Sequence, residues 1–252
     1  MSTPQDPELW ARRSRSFGAA AAEYAEHRPD YARDAIAWAL DGRAEVLDLA
    51  AGTGGLTKDL VAAGHVVTAV EPDAGMLAEL RTRVPGARVL PGHAEAIPLE
   101  DASVDAVTVA TAFHFFDEAR AIPEIARVLR PGGVLALVYD IDDTEQAPWL
   151  RELDEVKRTS ASHRPPDDQG WPVHPLLDAW EERRFPHTHR RTADSLTATI
   201  GTQSHTLVVS AEERAETLAR VRAFLGSIEE TADGEFDVPM WTLVARAAVR
   251  AP

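Results

Sequence analysis

The segment Val46-Leu-Asp-Leu-Ala-Ala-Gly-Thr-Gly-Gly55 decides the fold prediction for this chain. Its apolar first half has the length of a buried strand, and its small residues form a tight turn before a helical pattern that begins at Leu56. Glycine at positions 52 and 54 lets the backbone approach a ligand closely, and the following helix presents free N–H groups. The segment therefore predicts a strand, a ligand-binding turn and a helix; the alternative is a tight turn that binds nothing.

Strands and helices alternate from this segment to residue 140. We predict strands at residues 45–49, 65–70, 87–90, 105–110 and 133–139, and helices at 56–63, 74–84 and 117–129, the last with Asp117 as its N-cap. The strands are rich in Val, Leu and Ala and lack a polar face, which is typical of a parallel sheet covered on both sides. We therefore predict an α/β fold with a doubly wound, mostly parallel sheet that binds its ligand beyond the carboxyl ends of the strands.

Segments with weaker alternation flank this core. Helical patterns precede it at residues 17–40, with a break at 27–31. After it we predict helices at 149–159, 176–183, 194–201 and 211–226, strands at 185–191 and 240–249, and a proline-rich loop at 163–175. No repeat is visible. We predict a single domain over residues 1–252, with an N-terminal helical cap (1–40), a ligand-binding core (41–140) and substrate-covering segments with the last two strands (141–252).

The amino-acid composition excludes several classes of function. The 252 residues include no cysteine, which excludes disulfide frameworks, thiolate metal sites and cysteine nucleophiles. Asp and Glu number 41 against 26 Lys and Arg, a net charge of −15 that disfavours a nucleic-acid partner. No apolar run has the length of a signal peptide core or a membrane span. We predict a cytoplasmic protein with a small-molecule ligand, as a monomer or a homodimer.

Two acidic residues indicate the chemical class of the ligand. Asp48 lies within the turn, where it would repel a pyrophosphate, and Thr57 stands where a dinucleotide-binding motif has its third glycine. A zwitterionic ligand with an ammonium group suits Asp48 better. Glu71 closes the second strand and is able to bind both hydroxyls of a ribose. An isolated acid at a strand end is more often an N-cap or solvated, but beside the glycine turn we favour nucleoside binding.

Six ordered motifs resemble the class I S-adenosylmethionine-dependent methyltransferases, in the small-molecule branch typified by ubiquinone and menaquinone biosynthesis. The motifs are residues 46–54, Glu71, 92–98, 103–107, 112–117 and 127–133, within a resemblance that covers about residues 17–140. It departs from the family pattern at Ala50, usually glycine, and at His93, usually aspartate. It implies a Rossmann-like sheet of seven strands, the last antiparallel, with C-terminal lid insertions. It also implies S-adenosyl-L-methionine as cofactor, S-adenosyl-L-homocysteine as product, and a small-molecule acceptor methylated on O, N or C.

The resemblance implies roles for individual residues. Asp48 and its turn would hold the methionine part of the cofactor and Glu71 the ribose, while Pro72, Met76, Ala94 and Ile97 would enclose the adenine. The implied cofactor-binding set is Tyr24, Arg28, Asp48, Ala50, Gly52, Thr53, Gly54, Glu71, Pro72, Met76, His93, Ala94, Glu95 and Thr111, and the implied substrate contacts are Tyr31, Phe115, Phe116 and Ser204. Glu95 is the alternative to His93 for the adenine amino group.

His114 is the candidate catalytic residue. A histidine after the fourth strand is suited to take a proton from the acceptor near neutral pH, as general base or hydrogen-bond partner. The alternative is a histidine that only forms part of the pocket wall.

Two weaker patterns have the residue types of a metal site. His187 and His189 share one face of a strand, and Asp140, Asp142 and Asp143 follow the fifth strand. The first lacks a third ligand, and the second is better explained as a solvated loop, so we predict no metal. For function, we keep as alternatives a non-catalytic S-adenosylmethionine-binding regulatory module and, less favoured, a nucleotide-dependent oxidoreductase.

Overall fold

The fold is built on one seven-stranded sheet. The computed structural model describes Glu8, residues 12–13, Ser16, Gly18, and residues 21–27, 30–162 and 170–250. The strands are β1 Glu45–Leu49, β2 Val66–Glu71, β3 Arg88–Pro91, β4 Val104–Ala110, β5 Leu129–Asp142, β6 Glu181–Arg191 and β7 Phe236–Ala248. Their order is β3-β2-β1-β4-β5-β7-β6; β7 pairs antiparallel with both β5 and β6, and the other pairings between these strands are parallel. The predicted mostly parallel sheet with an antiparallel last strand is confirmed.

Helices cover both faces of the sheet. They are α1 Ala21–His27, α2 Arg33–Leu40, α3 Gly55–Ala62, α4 Ala74–Arg83, α5 Glu118–Val128, α6 Trp149–Val156, α7 Ala193–Gly201, α8 Ser204–Leu207, α9 Ala211–Gly226 and α10 Glu229–Ala232. Successive residues of a strand point to opposite faces. Leu47 of β1 accordingly packs in the core cluster that contains Ile122 and Ile125 of α5, while Val46 packs with Ile36 of α2 and Leu60 of α3.

The helix predicted at residues 176–183 is wrong. Leu177 instead forms a bridge to Val249, and Glu181 to Arg183 begin β6. Their backbone groups pair with the end of β7, where Arg246 Nη2 also lies 2.8 Å from Glu181 Oε2. This tertiary pairing overrides the local helical pattern. The exposed charged side chains of this stretch suit an edge strand, because they discourage pairing with another chain.

Other boundaries shift by a few residues. The helix α5 ends at Val128, one residue before its predicted end. Strand β5 begins at Leu129, ahead of its predicted start at residue 133, and continues past its predicted end at residue 139 to Asp142. Asp117 occupies the predicted N-cap position of α5, but its side chain makes no capping hydrogen bond. Part of the predicted proline-rich loop, residues 163–169, lies outside the described residues. In the part of the chain that the structure describes, no helix combines the length and apolar character needed to cross a bilayer.

A separate layer covers the carboxyl end of β5. Its apolar cluster joins Leu150 and Leu153 of α6, Leu196 of α7, Leu225 of α9 and Val238 of β7. This layer is built from the C-terminal segments that follow the predicted core, so it covers the edge at which parallel strands bind ligands.

Hydrogen bonds connect the start of α2 to α3 and to the sheet. The Tyr31 N–H donates to Asp59 Oδ2 at 3.1 Å, and the Ala32 N–H donates to Thr242 Oγ1 at 3.1 Å. Thr242, fully buried, in turn donates its hydroxyl proton to Asp140 Oδ1 at 2.8 Å. One threonine on β7 therefore links the N-terminal segment to the end of β5.

Thr242→Val tests this link. The substitution keeps the shape of the side chain but leaves the Ala32 N–H without an acceptor and Asp140 without a donor. We expect the free energy of unfolding to fall by about 1–3 kcal/mol, as for an unsatisfied buried polar group. Urea denaturation measures it, with Thr188→Val as control because Thr188 is exposed on the neighbouring strand. Equal stabilities of the two variants would contradict the role given to Thr242.

Candidate active site

The turn after β1 uses glycine for two different reasons. Gly52 and Gly54 both have left-handed backbones, with φ of 57° and 87°. A Cβ on Gly54 would lie 2.3 Å from Leu80 Cδ1, so packing against α4 requires glycine there. Among the described residues, a Cβ on Gly52 would meet Met76 Sδ alone, at 3.4 Å. Gly52 therefore presents an open backbone face, bounded by Met76.

Ala50, where the family usually has glycine, keeps the left-handed conformation. Its φ is 57°, which costs a residue with a Cβ about 1–2 kcal/mol. Thr111 at the end of the adjacent strand β4 is also left-handed, with φ of 53°, and its N–H donates to the Val138 carbonyl at 2.9 Å. A β-branched residue in this region is a genuine outlier, and such strain clusters at functional sites. Strained residues thus end two neighbouring strands beside the turn.

Glu71 connects this turn to the end of β2. Its carboxylate is 6% exposed and accepts hydrogen bonds from the Gly52 N–H (2.9 Å) and the Asp73 N–H (2.8 Å). Burial raises the pKa of Glu71 above its usual value, although these two bonds oppose the change. Each carboxylate oxygen retains a further lone pair. Glu71 therefore holds the turn in place and is still able to accept hydrogen bonds from two hydroxyl groups.

Asp48 lies in β1, just before the turn, and has no exposed surface. Its Oδ2 accepts a hydrogen bond from Thr57 Oγ1 at 2.5 Å, and its Oδ1 accepts one from Thr108 Oγ1 at 3.3 Å. Burial raises its pKa to about 7. The carboxyl thus joins β1, α3 and β4. That Asp48 touches the cofactor stays a prediction, since in this structure its carboxylate oxygens accept hydrogen bonds from side chains of α3 and β4.

The residues assigned to the adenine surround α4 and the loop after β3. Met76, Ala94 and Ile97 are buried, whereas Pro72 and His93 are exposed. Burial raises the pKa of Glu71, and the charge of a protonated His93 opposes this change.

The remaining members of the implied cofactor set lie in the turn, in the loop after β3 and in the N-terminal segment. Thr53 is buried within the turn. Glu95 accepts a hydrogen bond from the Asp117 N–H at 2.9 Å and so joins its loop to α5. Arg28 lies outside the described residues, and for Tyr24 only the backbone, within α1, is described.

The aromatic residues after β4 differ in burial: one lies in the core, and the others are partly exposed. Residues Phe113–Phe115 form a 3₁₀ helix, in which Phe113 is fully buried. Phe116, half-buried, lies 5.4 Å from Phe113 between ring centroids, and the half-buried Phe115 lies 4.1 Å from the His114 ring. Tyr31 packs instead beside the α2 and α3 core cluster. The substrate roles of these residues stay predictions.

His114 is neutral at pH 7. Burial lowers its pKa to about 4, and the charge of Arg13 contributes. The ring is thus suited to accept a hydrogen bond, but it binds a proton weakly, which differs from the expected match to neutral pH. Arg13 Nε also donates to Ser204 Oγ at 3.0 Å. Arg13 therefore brings together the predicted catalytic and substrate residues. Sequence reasoning missed it, although three arginines near the start of an acidic chain were a signal.

Contacts within the protein occupy residues of the two weaker metal patterns. His187 Nε2 lies 3.3 Å from Asp140 Oδ1, across the ends of β6 and β5. Asp143 is buried rather than solvated, because its Oδ1 accepts the N–H groups of Glu145 (3.1 Å) and Gln146 (3.0 Å) ahead of α6. Among the described residues, no group of three His, Asp or Glu side chains has the arrangement of a metal site.

A pair of glycine substitutions tests the two roles in the turn. Gly54→Ala adds both backbone strain and a clash with Leu80, so we expect the free energy of unfolding to fall by about 2–4 kcal/mol. Gly52→Ala adds backbone strain alone, about 1 kcal/mol. Urea denaturation of both variants measures the difference, and equal losses would show that Leu80 does not constrain the turn.

The variant Asp48→Asn tests the raised pKa of the buried carboxyl, through the pH dependence of stability. Folding raises the pKa of Asp48 from 3.8 to about 7, so its stabilising protonation is complete below about pH 4 and is lost as pH rises through 7. We expect the stability of the wild type relative to Asp48→Asn to increase by about 1.4 kcal/mol per pH unit from pH 7 to 5. Urea denaturation at pH 5, 6 and 7 measures this difference, in which histidine titrations cancel. A difference independent of pH would contradict the raised pKa.

Comparisons with known proteins agree with this geometry. Residues 47–137 match a family model described as a methyltransferase domain. The chain is 41% identical over 238 residues to an uncharacterized methyltransferase of Mycobacterium tuberculosis, which covers 94% of this chain and 96% of that protein. It is 34% identical over 152 residues to a demethylmenaquinone methyltransferase of Clavibacter sepedonicus, covering 54% of this chain and 62% of that one.

A solved structure supports the same assignment. A candidate type II methyltransferase from Anaeromyxobacter dehalogenans superposes with a TM-score of 0.58 and 26% identity, over 89% of this chain and 98% of that one. Sequence, strand order and turn geometry therefore lead to one conclusion: the chain belongs to the class I methyltransferase family.

Proposed function

We propose that this protein transfers a methyl group from S-adenosyl-L-methionine to a small-molecule acceptor. The observation that carries the proposal is the pairing of Gly52 with Glu71. The glycine offers an open backbone face, and the carboxylate beside it retains lone pairs for a ribose. Membership of the methyltransferase family supports the proposal, as does the small-molecule acceptor named for the Clavibacter relative.

The residues of the turn fit such a cofactor. Its methionine part would lie along the backbone at residues 50–54, where the open face of Gly52 accommodates it without a clash. Its ribose hydroxyls would donate to Glu71, and its adenine would lie near Met76 and Ile97. When bound, S-adenosyl-L-methionine supplies an electrophilic methyl group on a positively charged sulfur.

The protein's own contribution is mainly alignment and electrostatics. Fixing donor and acceptor in line supplies up to about 7–11 kcal/mol of rate acceleration in favourable cases. The negative charge of Glu71 favours a cationic ligand next to the turn. On the acceptor side, the neutral His114 would accept a hydrogen bond from the acceptor, with Arg13 and Ser204 positioned beside it. Transfer of the acceptor proton to His114 would be uphill, because its pKa is about 4.

Glu71→Gln tests the cofactor assignment. The amide cannot reproduce the charged acceptor for the ribose, so we expect the dissociation constant for S-adenosyl-L-homocysteine to rise at least tenfold. Titration calorimetry measures it. Glu79→Gln is the matched control, because Glu79 lies on the adjacent helix α4 and its one ion pair within the described part of the chain is with Arg83, at 3.8 Å. Absence of S-adenosyl-L-homocysteine binding in the wild type, or binding of NAD in its place, would refute the proposal.

Turnover separates an enzyme from a regulatory binding module. We expect release of S-adenosyl-L-homocysteine from S-adenosyl-L-methionine when a suitable acceptor is supplied from panels of amines, phenols and carboxylic acids. Tight cofactor binding without turnover on any panel would favour the regulatory alternative.

A further inference from the structure

A cavity of about 300 Å³ lies between the sheet and the C-terminal helical layer. Its floor is formed by the ends of β5, β6 and β7, and its cover by α6 and α7. That volume is at the lower end of the range for small-molecule pockets. None of the described residues that the family resemblance assigns to the cofactor lines it, so the cavity has room for a second molecule.

Two structural links connect the cavity to residues implied for the cofactor and the substrate. At the end of β4, the Thr111 N–H donates to the Val138 carbonyl of β5 at 2.9 Å, and β5 continues from there into the cavity floor. In the covering layer, Gln203 lines the cavity, and the next residue, Ser204, accepts the hydrogen bond from Arg13. The cavity and the implied site residues therefore lie at the same edge of the sheet.

The charges that line the cavity balance one another. Asp140 and Asp142 on β5 are matched by Lys157 after α6 and Arg191 at the end of β6. The remaining titratable side chain of the described lining, His189, is neutral at pH 7, because burial lowers its pKa to about 4 and the charge of Arg191 contributes. An ion of either sign would meet like charges here, and its own charge would be buried without a dedicated partner. The lining thus favours a neutral molecule.

Most of the remaining lining is apolar. Leu150 and Leu153 contribute from α6, Leu196 and Ile200 from α7, and Met240 from β7. Hydrocarbon surface of a ligand would be removed from water against these side chains. In the sheet register Met240 lies opposite Asp142 of β5, so apolar and polar lining meet at this point of the floor. The cavity therefore suits a molecule that is mostly hydrocarbon and carries a polar group.

The two carboxylates of the floor differ in their hydrogen bonds. Asp140 Oδ1 accepts a hydrogen bond from the Thr242 hydroxyl at 2.8 Å and lies 3.3 Å from His187 Nε2. The carboxylate of Asp142 has no hydrogen bond within the described part of the chain. Burial raises the pKa of Asp142 above its usual value, and the charge of Lys157 opposes this change. Asp142 is therefore the floor carboxylate that is able to accept a hydrogen bond, and then a proton, from a ligand.

A neutral molecule with an acidic hydroxyl suits such a carboxylate. A hydroxyl donates its proton to the carboxylate while its oxygen keeps two lone pairs, one of which is able to attack a methyl group. A phenol has a pKa of about 10, as in the tyrosine side chain, and a buried carboxylate with a raised pKa is a suitable general base for it. His114, by contrast, does not line the cavity.

We propose that this cavity binds the methyl acceptor, that the acceptor is a neutral, largely apolar phenol, and that Asp142 is the base that takes its hydroxyl proton. The inference rests on the proposed function, because it supplies the acceptor for that transfer. The phenol oxygen bonds to the methyl carbon while the bond between that carbon and sulfur breaks, and the electron pair of the broken bond stays on sulfur. The hydroxyl proton moves to a carboxylate oxygen of Asp142, which later releases it to solvent. The products are a methyl ether and S-adenosyl-L-homocysteine.

Two methionines allow the cofactor and acceptor sites to be observed separately. Met76 adjoins Gly52, and Met240 lines the cavity. In protein labelled with ¹³C at the methionine methyls, we expect S-adenosyl-L-homocysteine to shift the Met76 signal. We then expect 4-ethylphenol, added to that complex, to shift the Met240 signal. Met76→Leu and Met240→Leu assign the two resonances.

Probes of similar shape and different charge test the selectivity. The probe 4-ethylphenol is neutral, whereas tyramine adds an ammonium group and 4-hydroxyphenylacetate adds a carboxylate to the same phenol ring. We expect each charged probe to bind at least tenfold more weakly than 4-ethylphenol. The methyl ether 4-ethylanisole, which lacks the hydroxyl proton, should also bind more weakly. Titrations that follow the Met240 signal measure all four dissociation constants.

The variant Asp142→Asn tests the carboxylate as a base. The amide oxygen still accepts a hydrogen bond, so we expect the dissociation constant for 4-ethylphenol to change by less than about threefold. We expect kcat for formation of 4-ethylanisole to fall by roughly 100-fold or more. In the wild type, kcat should decrease as pH falls through the raised pKa of Asp142, and the residual rate of the variant should lack this inflection. The titratable and charged groups around Asp142 are Asp140, Asp154, Lys157, His189 and Arg191.

Two further variants complete the test. Glu152→Gln is the matched control, because it removes an exposed charge of α6 outside the cavity lining and should leave binding and kcat unchanged. Leu196→Phe, which fills part of the cavity, should abolish the Met240 response to 4-ethylphenol and leave the Met76 response intact. This variant tests the acceptor site even if Asp142→Asn does not fold.

The outcomes separate the two proposals. If S-adenosyl-L-homocysteine fails to shift Met76, the proposed function is refuted. If Met76 shifts but 4-ethylphenol leaves Met240 unchanged, if a charged probe binds as tightly as 4-ethylphenol, or if no 4-ethylanisole forms, the acceptor inference is refuted while the proposed function stands. A wild-type kcat in folded Asp142→Asn, or unchanged binding of 4-ethylphenol in Leu196→Phe, would also refute the inference.

Discussion

The hydrogen bond from the Gly52 N–H to the Glu71 carboxylate is the constraint on which the site depends. It joins the turn after β1 to the end of β2 across 2.9 Å, and the second oxygen of the same carboxylate accepts the Asp73 N–H at the start of α4. One side chain thereby sets the position of the turn relative to the adjacent strand and helix. Because the carboxylate is nearly buried, these bonds form in surroundings of low dielectric, where they are strong.

Fixing this geometry carries an energetic cost. The carboxyl of Asp48 is fully buried and that of Glu71 nearly so, and burial raises the pKa of each. Ala50 and Thr111 hold left-handed backbones at the ends of adjacent strands, at about 1–3 kcal/mol each. Burial of the surrounding apolar core, which includes Val46 and Val107, offsets these energetic costs. Unfavourable local features therefore concentrate at one edge of the sheet.

The antiparallel strand β7 determines what lies beyond that edge. Because β7 is paired along its length with both β5 and β6, these three strands extend past the shorter β1 and β4. Their extension provides a floor that the four remaining strands lack. The C-terminal helices cover this floor and leave a cavity of about 300 Å³ above it.

Sequence alone determined the alternating core. The apolar strands, the glycine turn and Glu71 follow from local periodicity and from residue types with few alternative uses, so β1 and α4 begin where expected. Sequence did not reveal the edge strand at Glu181, because a charged, exposed strand has no apolar periodicity. Nor did it reveal that the buried Asp48 is bonded to Thr57 and Thr108, or that Arg13 reaches Ser204. These depend on contacts between residues that are distant in sequence, which only the packing of the folded chain decides.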